Sequence, residues 1–253
     1  MKIVACYKLV PDEAKISFRK GAMPDLSACE WQIGQYDLCA IETAAQLAEK
    51  EGCQLIALTA GGEIVENSKM KKSVLSRGPD EMVAVKDEKL GFSDSYATAK
   101  VLAEAINAIG DVSLVFFGEG SGDVYAQQVG NMVGALLGWN TVNAVSAVAL
   151  QDGVLQVERS LEDCTETLTV SLPAAVSVTS NICLPRLASM KEILKAGKKP
   201  STIKALGDLE ADGVSSVEIV SLTEKSKAHR DCVVVPADDA GIDQLAAEIR
   251  KMI

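Results

Sequence analysis

The sequence predicts an α/β fold: a Rossmann-like parallel sheet with helices on both faces, antiparallel additions and a C-terminal partner-wrapping arm. Three observations predict it. Apolar runs of strand length alternate with segments of helical period up to about Val142. Hydrophobic residues make up 48% of the chain but aromatics only 4%, so the core is built from Ala, Val, Leu and Ile, as parallel strands buried on both faces require. A glycine-rich stretch, Gly118 to Gly130, joins an apolar run to a helical one.

The elements follow in order. Lys2 to Tyr7 is a short apolar strand, and Leu38 to Leu47 carries apolar residues at helical spacing. Gln54 to Thr59 is a second strand, ended by Gly61 and Gly62. A helix is expected from about Glu63 to Leu75, stopped by Arg77, Gly78 and Pro79. Glu81 to Val85 is a third strand. Ser93 or Asp94 caps a helix through Ile109. Leu114 to Phe117 is a fourth strand, and Val129, Met132, Val133, Leu136 and Leu137 recur at helical spacing after it. Val154 to Arg159 and Thr165 to Val170 alternate like antiparallel strands around a turn at Leu161 to Cys164. Ala174 to Thr179 is a further strand that extends the sheet. Asn181 to Pro200 starts as a loop and turns helical from about Ser189. Ser201 to Arg230 lacks periodicity and reads as an arm; such a long irregular stretch suggests a segment that wraps a partner. Cys232 to Val235 reads as a last strand and Ala240 to Ile253 as an amphipathic helix. The division is a 1–200 α/β domain and a 201–253 arm with its terminal helix.

A formal net charge of −10 argues against sequence-independent nucleic-acid binding, which needs basic surface. The chain enters a strand at once, without a signal-peptide layout, and no apolar run reaches bilayer-spanning length. A cytoplasmic protein without membrane insertion is expected. The seven cysteines are scattered, none in a CxxC pair, and His229 is the only histidine, so clustered metal ligation is not expected. No acid–base or nucleophile constellation marks an enzyme.

The glycine stretch carries the chemistry. At a strand-to-helix junction with several glycines the backbone approaches a ligand closely, and unpaired N–H groups favour an anion such as a nucleotide phosphate. Neither a Walker A loop nor the dinucleotide fingerprint is present, because Gly118 and Gly120 are followed by Gly122. In parallel sheets ligands sit beyond the C-terminal strand ends. Those ends are Cys6 to Lys8, Thr59 to Gly61 and Gly118 to Gly122, and they converge on one site. Asp123 reads as a ligand to a ribose hydroxyl or to backbone amides, or as an acid that favours a helix dipole. Gln127 and Gln128 are placed in the first helical turn, within reach of a phosphate. Tyr125 stacks on an adenine or fills a subunit interface. Lys8 reads as a solvated lysine ahead of a phosphate ligand.

Several motifs occur in sequence: Cys6 to Asp12, Gln35 to Glu42, Ser76 to Asp80, Gly118 to Gly130, Val157 to Arg159, Leu172 to Ala174, and Pro185 to Met190 with lysines behind it. In this order they resemble the β subunit of electron transfer flavoproteins, particularly the Fix-like branch of anaerobic bacteria. The resemblance runs from the first strand to about Pro200. It implies a heterodimer with an α subunit that carries the electron-transferring FAD, and a site for AMP or a second FAD in this chain. It implies nucleotide contacts at Cys6, at Gly34, Gln35, Tyr36 and Asp37, at Ala60, and at Gly118, Gly120, Ser121, Gly122, Asp123, Val124, Tyr125, Gln127, Gln128 and Val129. Asn181 to Lys199 matches the loop that anchors flavoprotein dehydrogenases of acyl-CoA type, with Pro185, Arg186, Leu187, Met190 and Lys191 as recognition residues. Lys191, Lys195, Lys198 and Lys199 form a solvated face or steer an acidic partner.

Two positions depart from that family. Gly34 replaces a usual asparagine, and the acidic pattern of the bifurcating members becomes Asp123-Val-Tyr-Ala126. The choice between AMP and FAD, and whether the complex bifurcates electrons, stay open. The rival readings are an ATP-using enzyme of the adenine nucleotide α-hydrolase type and a stand-alone nucleotide-sensing module. The first requires a Ser-Gly-Gly-x-Asp-Ser loop where Lys8 to Asp12 stands, and the second has no use for a long arm.

Overall fold

A computed structural model describes residues 1–18, 24–218, 220 and 232–251. Its centre is a nine-stranded sheet. In chain order the strands are β1 (Lys2–Cys6), β4 (Gln54–Gly61), β5 (Glu81–Lys86), β6 (Val112–Gly118), β7 (Asn140–Gln151), β8 (Val154–Ser160), β9 (Thr165–Ser171), β10 (Ala174–Val178) and β11 (Ser201–Ala205), with the order β11-β5-β4-β1-β6-β10-β7-β8-β9 across the sheet. From β11 to β7 every pair is parallel, and β7-β8-β9 add antiparallel. A separate ribbon pairs β2 (Leu9–Pro11) with β3 (Trp31–Ile33).

The helices are α1 (Gln35–Glu51), α2 (Ser68–Leu75), α3 (Ser95–Ile109), α4 (Val129–Leu137), α5 (Met190–Ala196) and α6 (Asp239–Arg250). They cover both faces, as the alternation predicts. On one face Ala40, Ile41 and Ala44 of α1 and Val74 of α2 pack on Ile3, Leu55 and Phe116. On the other, Val101, Leu102 and Ile106 of α3 and Val133 of α4 pack on Val4, Ile56 and Val115. The central strands alternate between these two cores, so both faces of each must be apolar. That is why they read as unbroken aliphatic runs.

Four segments differ from the sequence reading. The helix expected from Glu63 starts later: Glu63–Glu66 is a 3-10 turn, and the Asn67 side chain caps α2 by accepting from Lys69 N and Met70 N at 2.9 and 3.2 Å. β7 is a full twelve-residue strand where only a change of character was legible. Its asparagines and alanines are poor strand formers, and Ala144 takes a φ of 55° beside a register shift. The segment expected as an arm from Ser201 opens as the edge strand β11, which pairs with β5 and packs only through Ile203. Cys232 to Val235 forms no strand. Much of the rest of the expected arm, residues 219 and 221–231, lies outside the described residues, as does His229. Leu206–Asp208 makes a turn over the α3 core, and Asp94 then holds the chain. Its carboxylate caps α3 through Ala97 N and accepts from Ser215 Oγ, Ser216 N and Val217 N at 2.9, 2.6 and 3.2 Å.

Candidate functional site

The chain runs from β1 through α1 to β4 on one side of β1, and later returns to β6 on the other. The β1/β6 boundary is therefore the switch point, where a crevice opens beyond the strand ends. Two of the three predicted strand ends meet there, the end of β1 and the loop after β6, together with the first turn of α1. The third, Thr59 to Gly61, lines a cavity that shares Lys8 with this corner.

Asp37 ties them together. It lies in the first turn of α1 and is buried. Lys8 N donates to its Oδ2 at 2.8 Å and Gly118 N to its Oδ1 at 3.3 Å. One carboxylate thus joins the exit of β1 to the exit of β6. Burial pushes its pKa up to about 7, against the pull of those two N–H groups and the Lys8 charge. Cys6, buried beneath it, has its thiol raised by burial first and by the Asp37 charge second, so it is a packing residue rather than a nucleophile.

Gly118 is required by the close approach of β6 to α1. A Cβ there would stand 2.6 Å from the Tyr36 carbonyl carbon and 2.7 Å from Asp37 Oδ1. Gly34 stands at the N-cap of α1 with no side chain to cap it. Gly120 lies flat under the Tyr125 ring, which would collide with any Cβ. That ring leans on Tyr36, with centroids 5.3 Å apart and planes at 46°. Tyr125 and Gln127 hold φ of 51° and 57°, a left-handed backbone that side chains rarely adopt. Two such residues in one loop mark it as held by its surroundings rather than relaxed.

Lys8 is exposed, as a solvated lysine would be, and it also has a partner. Its Nζ lies 2.6 Å from Asp123 Oδ2. Burial opposes ionisation of Asp123, but Lys8, a hydrogen bond from Ser121 and Val124 N hold its carboxyl below the usual range. Asp123 sits in the turn after β6, well before α4. Gln127 and Gln128 also precede the helix, which begins at Val129, so neither is in its first turn; Gln128 is the N-cap residue and makes no side-chain cap bond. Glycines let the chain travel farther from β6 before coiling than the helical spacing suggested. Ser121 and Gly122 lie in this stretch, and Val124 is exposed.

At the end of β4 lies a cavity of about 650 Å³. Predicted residue Ala60 lines it, with Thr59, Leu9, Trp31, Ile64 and Leu90. Lys8 belongs to both places: it lines the cavity and bonds Asp123 of the loop. Thr59 belongs to the predicted strand end Thr59 to Gly61, without a role of its own, while Trp31 and Ile64 were not singled out from sequence. The two-stranded ribbon brings Trp31, and the 3-10 turn Ile64, to the end of β4. The one available signal was a hydroxyl at the end of an apolar run.

Residues 181–199 form a second, separate feature. Leu184, Leu187, Met190 and Leu194 are 92%, 91%, 74% and 72% exposed. Leu187, Met190 and Leu194 recur at helical spacing. Ser189 caps α5 in a reciprocal box with Glu192. Arg186 behaves differently from its neighbours. Its Nε donates to Glu42 Oε2 at 2.7 Å and its Nη1 to Glu49 Oε1 at 2.6 Å, and its backbone N also reaches Glu42. These bonds raise the Arg186 pKa. Arg186 therefore anchors the segment to α1, where Glu42 is 5% exposed. Pro185 precedes this anchor, and Lys191 is exposed. Lys199 turns inward, donating to the carbonyls of Leu75 and Pro79 at 2.8 and 2.6 Å.

Among the described residues no helix is long and apolar enough to cross a membrane, and no cluster of His, Cys, Asp and Glu could hold a metal ion. The mostly parallel sheet, with helices on both faces and a glycine loop at its switch point, defines a Rossmann-like α/β protein. The family model described as the electron transfer flavoprotein domain matches residues 27–209, well over half of the chain. The chain belongs to the electron transfer flavoprotein family, whose members are flavin-associated electron carriers rather than enzymes.

Proposed function

We propose that this chain is the β subunit of a heterodimeric electron transfer flavoprotein of the Fix-like branch. It shuttles electrons to or from a flavoprotein dehydrogenase of acyl-CoA type in the cytoplasm. In this reading the α subunit carries the reactive FAD, and this chain holds AMP or a second FAD. The observation that carries the reading is the convergence on Lys8 of the β1 exit, the Asp37 turn and the Gly118 loop.

The residues present fit an adenine nucleotide. The loop offers backbone and small side chains where a phosphate needs close approach. Lys8 supplies one cation, and Asp123 is oriented for a ribose hydroxyl once Lys8 turns to phosphate. The cavity across Lys8 has room and apolar walls for a ring. Bound flavin supplies the electron-accepting chemistry, and the protein positions it.

The exposed leucines and Met190 read as the dehydrogenase docking surface. Flexible apolar anchors suit a carrier that meets several partners. The stretch after Ala205 and α6 read as the arm that wraps the α subunit. Of α6 only Gly241 is buried, while Ile242, Leu245 and Ile249 are exposed, so its apolar face has no partner among the described residues. Asp94 is the point from which the arm leaves the domain.

The test is to purify the chain together with the product of its neighbouring gene and count nucleotides after denaturation. One FAD plus one AMP per heterodimer is the outcome for a simple carrier, and two FAD for a bifurcating one. A preparation with neither nucleotide and no bound second chain would refute the reading.

A further inference from the structure

Thr59 closes the buried run of β4 and is 1% exposed. Its hydroxyl makes no hydrogen bond within the described chain. Buried hydroxyls almost always find a partner, because an unmade bond in the interior is costly. Arg77 Nε and Arg159 Nε are also unpartnered, but each belongs to a guanidinium whose other nitrogens are bonded, and neither residue lines the cavity. Thr59 is the one side chain of the three with no bond at all.

Its position gives the orphan hydroxyl a meaning. Thr59 lines the 650 Å³ cavity, whose walls are mostly apolar side chains and glycine backbone: Leu9, Leu26, Trp31, Ile64 and Leu90, with Gly61 and Gly62. Lys8, Glu63, Glu66 and Asn67 also line it, but Lys8 is paired with Asp123, both glutamates with Lys86, and Asn67 with the first backbone N–H groups of α2. Thr59 is thus the buried polar side chain there that is left unbonded. A largely apolar wall with few convergent polar groups is how proteins orient flat heterocycles. The hydroxyl both donates and accepts, so it can meet a ring nitrogen, a ring carbonyl or an exocyclic amine. A ligand whose phosphate lies at the Gly118 loop would reach this space past Lys8.

We propose that Thr59 is a specificity-determining residue: the cavity takes the planar nitrogen heterocycle of the nucleotide, and the Thr59 hydroxyl reads its hydrogen-bonding edge. The inference rests on the nucleotide reading above and adds to it a ring position and a residue that selects the ring.

The experiment uses the heterodimer freed of nucleotide, as wild type, Thr59→Val and Thr59→Ser. AMP and FAD binding is measured by calorimetry, and melting is followed without nucleotide. Valine keeps the shape and removes the hydroxyl. It is expected to weaken binding of whichever nucleotide the wild type takes by roughly three- to tenfold. The nucleotide-free melting temperature should stay unchanged or rise, because an unsatisfied buried hydroxyl has gone. Serine should restore affinity. Wild-type affinity in Thr59→Val overturns the inference. So does a fall in nucleotide-free melting temperature with affinity intact, which would make the hydroxyl structural. Wild-type protein that binds neither AMP nor FAD overturns the nucleotide site itself, and this inference with it.

Discussion

At the strand-end crevice a carboxylate is buried and backbone N–H groups converge on it. In residues 181–199 the leucines stand in solvent, above an ionic clamp whose Glu42 end is buried. Asp37 draws β1, α1 and β6 into one rigid corner through two backbone bonds. Arg186 does a related task at the other feature, but with side-chain charge: Glu42 and Glu49 hold its guanidinium while Leu184 and Leu187 on either side project outward. The difference teaches what each region is shaped to meet. A small ligand needs close backbone and few degrees of freedom. A protein partner needs apolar side chains kept out of the core, and a charged anchor achieves that without burying them.

Replacing Asp37 sharpens the first half of that comparison, and has the largest expected effect. Its folded pKa lies near 7 against an ordinary 3.8, so between those values the native chain keeps a proton that the unfolded chain has released. The stability of the wild type relative to Asp37→Asn should therefore fall as pH rises from about 4 to about 7, by up to ~4 kcal/mol, and level off above that. Denaturant titrations of both proteins across that range read the slope directly. A flat difference would mean that the carboxylate is ionised throughout.

Arg186→Ala breaks the second half. Glu42 would stay buried with no cation, keeping the hydrogen bond from Gln46, at a cost of about 3 kcal/mol. Hydrogen exchange should rise in residues 181–189 and leave the Gly118 loop protected. If exchange rises equally in both places, the two regions are one cooperative unit and the contrast fails.

The smallest stability effect belongs to Met190→Ala. At 74% exposure its loss should shift stability by no more than about 0.5 kcal/mol and leave bound nucleotide unchanged. Electron transfer to the partner dehydrogenase at limiting partner concentration should nevertheless slow. Unchanged transfer would remove Met190 from the docking surface.

Much of this was legible in the chain. The central strands and α1, α3 and α4 announce themselves, because burial on both faces forces aliphatic runs and burial on one side forces a helical stripe. The glycine loop was legible because glycine is the residue that close backbone approach selects. Gly118 is the clear instance, because a Cβ there would stand 2.6 Å from the Tyr36 carbonyl carbon. β7 and β11 were not legible: one carries a bulge and weak strand formers, and the other is a five-residue edge with one packed side chain. The partner of Lys8 was also hidden, since its carboxylate lies 115 residues away.

By itself, then, the sequence determined the layered α/β architecture and the place of the glycine loop at the end of an apolar strand. Local periodicity encodes which face is buried, and no distant residue is needed to read it. Only the tertiary structure decided that Asp37 rather than Asp123 is the buried hub, that Arg186 anchors instead of projecting, and that Thr59 is left with a hydroxyl to offer. Each of those depends on a pairing, or its absence, between groups far apart in the chain, and such pairings leave no period in the sequence.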